Sequence, residues 1–122
     1  MEQQLINNWK QKQLNIDYSR LNFGRGQPSD IDLIYYGRDN ILLLGEIKNE
    51  RGTFTENQKR LYEHIADNYK GKCLILYITH NKRVEDGDYN VDLAEGIVRE
   101  IYYNGVWHEI ERSLIDVIKY YT

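Results

Sequence analysis

Between Ser29 and Asn49 the chain reads SDIDLIYYGRDNILLLGEIKN. Two short apolar runs, Ile31 to Tyr36 and Ile41 to Lys48, flank the polar turn Gly37 to Asn40, a pattern that predicts a β-hairpin. A hairpin alone is marginal in water, so the chain must build a larger sheet around it. The run ILLLG is apolar without alternation, which suits a central strand covered on both faces. Charge stands where a buried strand has no use for it. Asp30 and Asp32 open the first run, and Glu46 and Lys48 close the second.

The rest of the chain supplies that sheet and its cover. Glu2 to Lys12 reads as an amphipathic helix, with Leu5, Ile6 and Trp9 in one stripe. Leu14 to Phe23 carries a weak strand signal, and Gly24 to Asp30, with the sole proline Pro28, a turn. After the hairpin, Thr53 with Glu56 or Thr55 with Gln58 can form a capping box. A helix is predicted from there to about Tyr69, with Leu61, His64, Ile65 and Asn68 along one side and Gly71 as its stop signal.

Cys73 to Thr79 is continuously apolar, as a strand at a sheet centre is. Asn81 to Asp92 is a polar loop. Ile97 to Tyr103 and Val106 to Ile110 flank Asn104-Gly105, a type I′ hairpin signal. Arg112 to Tyr121 predicts a last helix with Leu114, Ile115 and Ile118 inward. The single helix between the Ile41 and Cys73 strands predicts a crossover that leaves them parallel. The expected fold is α/β. It is a mixed central sheet with an αβββαβ core flanked by helices, plus a C-terminal β-hairpin and helix, in one domain over residues 1–122.

Length and charge set bounds on function. A chain of 122 residues can bury one modest core without staples. The formal net charge of −3 argues against a nonspecific nucleic-acid binder of the basic-patch kind. It does not exclude a nucleic-acid enzyme, because acidic metal ligands lower the formal charge and a bound cation restores positive potential locally. Cys73 is the only cysteine, so the chain offers no internal disulfide and no CxxC metal pair. It reads as a small buried thiol. The N-terminus lacks a signal-peptide core and no apolar run reaches transmembrane length, so a cytoplasmic protein is expected.

The chemistry sits at the charged strand ends. Glu46 and Lys48 project to one side of their strand, because side chains alternate faces. Where Asp32 points depends on register. A two-residue turn at Arg38-Asp39 pairs Asp32 with Gly45 and puts Asp32 and Glu46 on opposite faces. A three-residue loop, Arg38 to Asn40, pairs Asp32 with Glu46 on one face, with Asn40 able to adopt the left-handed conformation such a loop needs. In that register two carboxylates form a site for a hard cation, and the Ile47 carbonyl can add a third ligand. A water beside such a cation loses its proton more readily, and Lys48 can orient it and offset charge on a phosphate.

The ordered set of turn, Asp-Ile-Asp, tight hairpin, Glu46-Ile47-Lys48 and capped helix resembles the PD-(D/E)XK nuclease superfamily. The run DIDLIYYGRDNILLLGEIK is similar to the core of restriction-endonuclease-like and Holliday-junction-resolvase-like members, and the resemblance covers roughly Glu2 to Thr79. It implies Mg²⁺-dependent hydrolysis of DNA, with Mn²⁺ as a substitute, leaving a 5′-phosphate and a 3′-hydroxyl. Asp32 takes the place of the motif aspartate and Glu46 and Lys48 those of the (D/E)XK element. The literal Pro-Asp pair is here split as Pro28-Ser29-Asp30, and pairing with Glu46 favours Asp32 over Asp30. Glu2 falls where many members carry an acidic metal ligand on the first helix. Gln58 and Tyr62 resemble a Q-x-x-x-Y element and share a helix face.

Tyr18, Arg20, Arg25, Arg51 and Lys59 are candidate contacts to a DNA backbone, with Tyr62 reaching a phosphate or Lys48. For Lys59 a solvated helix face is the default expectation and contact with the DNA backbone the alternative. His80 is a candidate substrate contact, while His64 and His108 lack the spacing of a metal site. The small size suggests that a homodimer or larger complex supplies specificity. Two other classes compete with a nuclease: a non-catalytic nucleic-acid- or protein-binding module that keeps the fold, and an unrelated α/β domain whose charged strand ends are a solvated rim.

Overall fold

The computed structural model describes residues 31–88 and 90–122. The expected first helix, the weak strand from Leu14 and the turn before Asp30 lie outside the described residues. The described chain is α/β, built on a five-stranded mixed sheet in spatial order β1-β2-β3-β4-β5. The strands are β1 (Leu33–Tyr36), β2 (Ile41–Asn49), β3 (Lys72–His80), β4 (Ile97–Tyr103) and β5 (Val106–Ser113). Helix α1 (Glu56–Asn68) joins β2 to β3, and α2 (Leu114–Tyr121) ends the chain. As the single intervening helix predicts, β2 and β3 are parallel; every other neighbouring pair is antiparallel. No helix of the described residues is long and apolar enough to cross a membrane.

Alternation along the strands divides the buried residues into a core on each face. Leu43, Leu74, Leu76, Ile78, Val98 and Ile101 pack with Leu114 and Val117 of α2. Leu44, Cys73, Ile75 and Tyr102 pack on the other face with Phe54 and with Tyr62 of α1. β3 lies between β2 and β4, and Leu74, Ile75 and Leu76 are wholly inaccessible, which accounts for its unbroken apolar sequence. Burying each such side chain contributes roughly 1.5–3 kcal/mol.

The β1–β2 turn takes the three-residue form. Leu33 pairs with Gly45 and Tyr36 with Leu42, and Gly37 N–H donates to the Ile41 carbonyl at 2.9 Å. The loop is Arg38–Asn40, with Asp39 at φ 58° and Asn40 at φ 60°. Both adopt the left-handed conformation that Asp and Asn tolerate best after glycine. The paired register ends at Leu33–Gly45, which leaves Asp32 next to the Glu46 end of β2. The second hairpin turns at Asn104 and Gly105, with φ 52° and 80°, the double positive φ of a type I′ turn.

Three local expectations are corrected. The inward face of α1 carries Tyr62, Ile65 and Ala66 rather than Leu61, His64 and Asn68. The tyrosine goes inside because its hydroxyl finds a buried acceptor there, so apolarity alone misjudges the helix phase. Gly71 is not a helix cap: α1 ends with Tyr69 as an extended cap residue. A Cβ on Gly71 would lie 2.2 Å from the Asn40 carbonyl oxygen, so glycine stands there to let the hairpin loop approach. At the C-terminus β5 runs on to Ser113, whose side chain caps α2 by accepting from Asp116 N–H at 3.1 Å. That start turns Val117 inward in place of Ile115, which is exposed.

Candidate active site at the end of β2

Glu46 is the one buried carboxylate of the described residues, with 6 % of its surface accessible. It lies on the α1 face of β2, and α1 supplies its partners. The Tyr62 hydroxyl donates to Glu46 Oε2 at 2.7 Å and also lies 3.3 Å from the Gly45 carbonyl. Gln58 Nε2 approaches Oε1 at 3.5 Å, and Lys48 Nζ stands 3.5 Å from the same oxygen. All three groups donate toward the carboxylate, as burial of such a group requires.

The helix start explains how Gln58 reaches this point. Thr55 caps α1, accepting from Gln58 N–H at 3.3 Å, while Gln58 Oε1 accepts from Thr55 N–H at 3.2 Å. The capping box is therefore the Thr55–Gln58 pair rather than Thr53–Glu56. Its carbonyl end closes the cap and its amide end turns to Glu46. Tyr62 follows one turn later on the same face. Phe54 packs edge-on against Tyr62, with ring centroids 5.8 Å apart.

Asp32 is anchored by the backbone of the opposite strand. Its Oδ2 accepts from Ile47 N–H at 2.8 Å. The β1–β2 ladder stops at Leu33–Gly45, and Asp32 takes up the next donor of β2 with its side chain. In an antiparallel ladder a residue's N–H and C=O face the same neighbour. The Ile47 carbonyl is therefore directed to the same side, beyond the end of β1. Asp32 and Glu46 both act on the Tyr62 hydroxyl. Burial, chiefly, then the hydrogen bond to Glu46 and the charges of Glu46 and Asp32 hold it well above the usual tyrosine range. Tyr62 thus stays a neutral donor to Glu46.

These residues fit a small hard cation. Such an ion takes one or two carboxylates and fills its remaining positions with water or phosphate oxygens. Asp32 commits only Oδ2 to Ile47, and the contacts from Gln58 and Lys48 to Glu46 Oε1 are long enough to yield. Among the described residues no group of three or more His, Cys, Asp or Glu side chains is arranged to hold a metal, so a cation here would rest on two carboxylates and the Ile47 carbonyl. The hydrogen bonds from Tyr62 and Gln58 are of the outer kind that orients a ligand carboxylate.

The remaining predicted residues divide plainly. Glu2, Tyr18, Arg20, Arg25 and Asp30 lie outside the described residues. Arg51 is exposed, in the turn after β2. Expectations for two candidate nucleic-acid contacts are corrected. Tyr62 is buried beneath Glu46 and offers its hydroxyl to no phosphate. Lys59 is half-buried rather than on a solvated face. Its ammonium is 3.2 Å from Glu100 and lies over the Phe54 and Trp107 rings at 5.6 and 5.1 Å, which engages it within the protein. His80 Nδ1 accepts from Lys82 N–H at 3.1 Å, a local bond that shapes the loop after β3.

Sequence reasoning missed the way Asn49 closes this end of the sheet. Its Nδ2 donates to the Lys82 carbonyl at 2.8 Å and its Oδ1 accepts from Arg51 N–H at 3.0 Å, joining the turns after β2 and β3. An asparagine at a strand end is the only signal that pointed there. The chain matches no protein-family model, no curated protein and no solved structure.

Proposed function

We propose that the chain is a metal-dependent nuclease of the PD-(D/E)XK kind that hydrolyses phosphodiester bonds in DNA. The observation that carries this reading is the set at the end of β2. A buried Glu46 is paired with Lys48 at 3.5 Å, and Asp32 is pinned to Ile47 N–H across the hairpin. Asp32, Glu46 and the Ile47 carbonyl would hold Mg²⁺, or Mn²⁺ in its place. The cation would supply Lewis-acid polarisation of the phosphate and an acidified water. Lys48 orients the attacking water and offsets negative charge building on the phosphate. Gln58 and Tyr62 keep the Glu46 carboxylate aimed, and Arg51 is placed to meet the DNA backbone.

Glu2 and Arg25 retain their proposed roles as metal ligand and DNA contact. A homodimer or larger complex supplies specificity, and the single buried Cys73, its thiol pushed up to about 11 by burial, suits a reducing cytoplasm. One observation favours the alternative of a binding module without cleavage: Lys59, a candidate contact to the DNA backbone, is paired internally with Glu100.

Cleavage separates the two. Purified protein is incubated with single-stranded, duplex and branched DNA, with and without Mg²⁺ or Mn²⁺, beside Lys48→Ala. Metal-dependent cleavage that falls at least about a hundredfold in the variant is expected, the scale of a lost transition-state donor. Absence of cleavage on every substrate, or equal cleavage by the variant, rules the nuclease out.

A further inference from the structure

We propose that Arg99 grips a backbone phosphate of the bound DNA strand beside Lys48, aimed there by a bulge in β4; the proposal rests on the nuclease reading. Tyr77 pairs with Glu100 and Ile78 with Val98, so Arg99 has no partner on β3, and the register with β5 shifts at the same point. Bulges re-aim a side chain and recur next to active sites. Here the Arg99 side chain turns across β3, and its Nε donates to Thr79 Oγ1 at 3.0 Å. Thr79 is buried and stands in register with Lys48 on the adjacent parallel strand. Neighbouring strands lie about 4.8 Å apart, which puts the guanidinium on the Lys48 face one strand away.

Its other donors are held only at the surface. Nη1 meets Glu111 at 3.0 Å, but that carboxylate is 78 % exposed, and a solvated pair of this kind is weak enough for a phosphate to displace. The side chain borders a cleft of about 220 Å³ at the carboxyl ends of β2 and β3, which Thr79, His80 and Lys82 also line. Glu50, Asp92 and Glu95 lie on the same cleft. Asp92 is committed to capping Ala94 N–H, and Glu95 and Glu50 stand 3.9 Å from Lys82 and Arg83. A guanidinium held at Nε presents its other face as a planar fork, the geometry that matches phosphate oxygens. The buried threonine fixes that fork before substrate arrives.

The test measures binding apart from turnover. Fluorescence anisotropy follows a labelled duplex and its single strand, with Ca²⁺ replacing Mg²⁺, across a salt series. Wild type is compared with Arg99→Ala, Arg99→Lys and Thr79→Val, each checked for folding by circular dichroism. Arg99→Ala should bind about tenfold more weakly, with the salt slope reduced by about one whatever the sequence. Arg99→Lys should keep the slope but not the full affinity, and Thr79→Val should lose affinity with charge intact. Unchanged affinity and slope in Arg99→Ala overturn the proposal while leaving the nuclease reading in place. Arg99-dependent binding by a wild type that never cleaves DNA supports the phosphate grip and overturns the nuclease reading. Failure of wild type to bind either DNA overturns both.

Discussion

Tyr62 donates its hydrogen bond to a carboxylate instead of to water, and the proposed site depends on that choice. The Glu46 carboxylate is almost fully desolvated, so each donor removed leaves a buried charge less compensated. Tyr62→Phe removes the shortest of the three contacts and little volume. It should lower stability by about 1–3 kcal/mol, read by denaturant unfolding. It should also weaken divalent-cation affinity at least about tenfold, because a ligand carboxylate that loses its orienting partner becomes mobile. Stability and affinity both unchanged would mean that Glu46 is aimed by something other than α1. Glu46 and Lys48 were legible from sequence because charge at the end of an apolar strand is anomalous. The inward turn of Tyr62 was not, because a tyrosine on a helix suits solvent, core or substrate equally well.

At the scale of elements, the hairpin turn sets the register that makes Asp32 and Glu46 neighbours. Asp39 and Asn40 both adopt positive φ, and Asn40 is held from two sides. The Tyr69 hydroxyl donates to Asn40 Oδ1 at 2.7 Å, and Gly71 packs against the Asn40 carbonyl. The segment after α1 therefore clamps the loop before β2. Gly71→Ala forces a methyl into that carbonyl and should cost about 1–3 kcal/mol in denaturant unfolding, the usual penalty of overpacking. A neutral outcome would mean that the loop shifts freely and does not fix the register. Sequence alone left two- and three-residue turns equally open, since both suit Gly-Arg-Asp-Asn. The choice is made by a tertiary contact 31 residues downstream of Asn40. The same limit applies to the bulge at Arg99, where nothing in IVREIYY announces an extra residue. The parallel β2–β3 pair and the Asn104-Gly105 turn were legible because chain connectivity and φ preference dictate them locally.

Across the whole molecule, α1 is tied to the far side of the sheet by neutral donors on charged acceptors. The Tyr102 hydroxyl donates to Asp67 at 2.7 Å and Trp107 Nε1 to Glu63 at 2.7 Å. The hydrogen bond to Asp67, then burial, pushes the Tyr102 hydroxyl up to about 12. In the unfolded chain it titrates near 10, so between about pH 10 and 12 the folded state binds the proton and the unfolded state does not. Stability therefore falls as pH rises through that window and is intact below it. Guanidinium midpoints should decline from about pH 10 to 12, and less steeply in Tyr102→Phe; equal slopes would deny Tyr102 this role. We propose that Asp32 and Glu46 form one cation site at the end of the hairpin. Calorimetric titration of Mn²⁺ into wild type, Asp32→Asn and Glu46→Gln tests it most directly. Saturable binding is expected in wild type, weakened at least about tenfold in each variant. Binding of equal strength in all three proteins, or none in wild type, would contradict it.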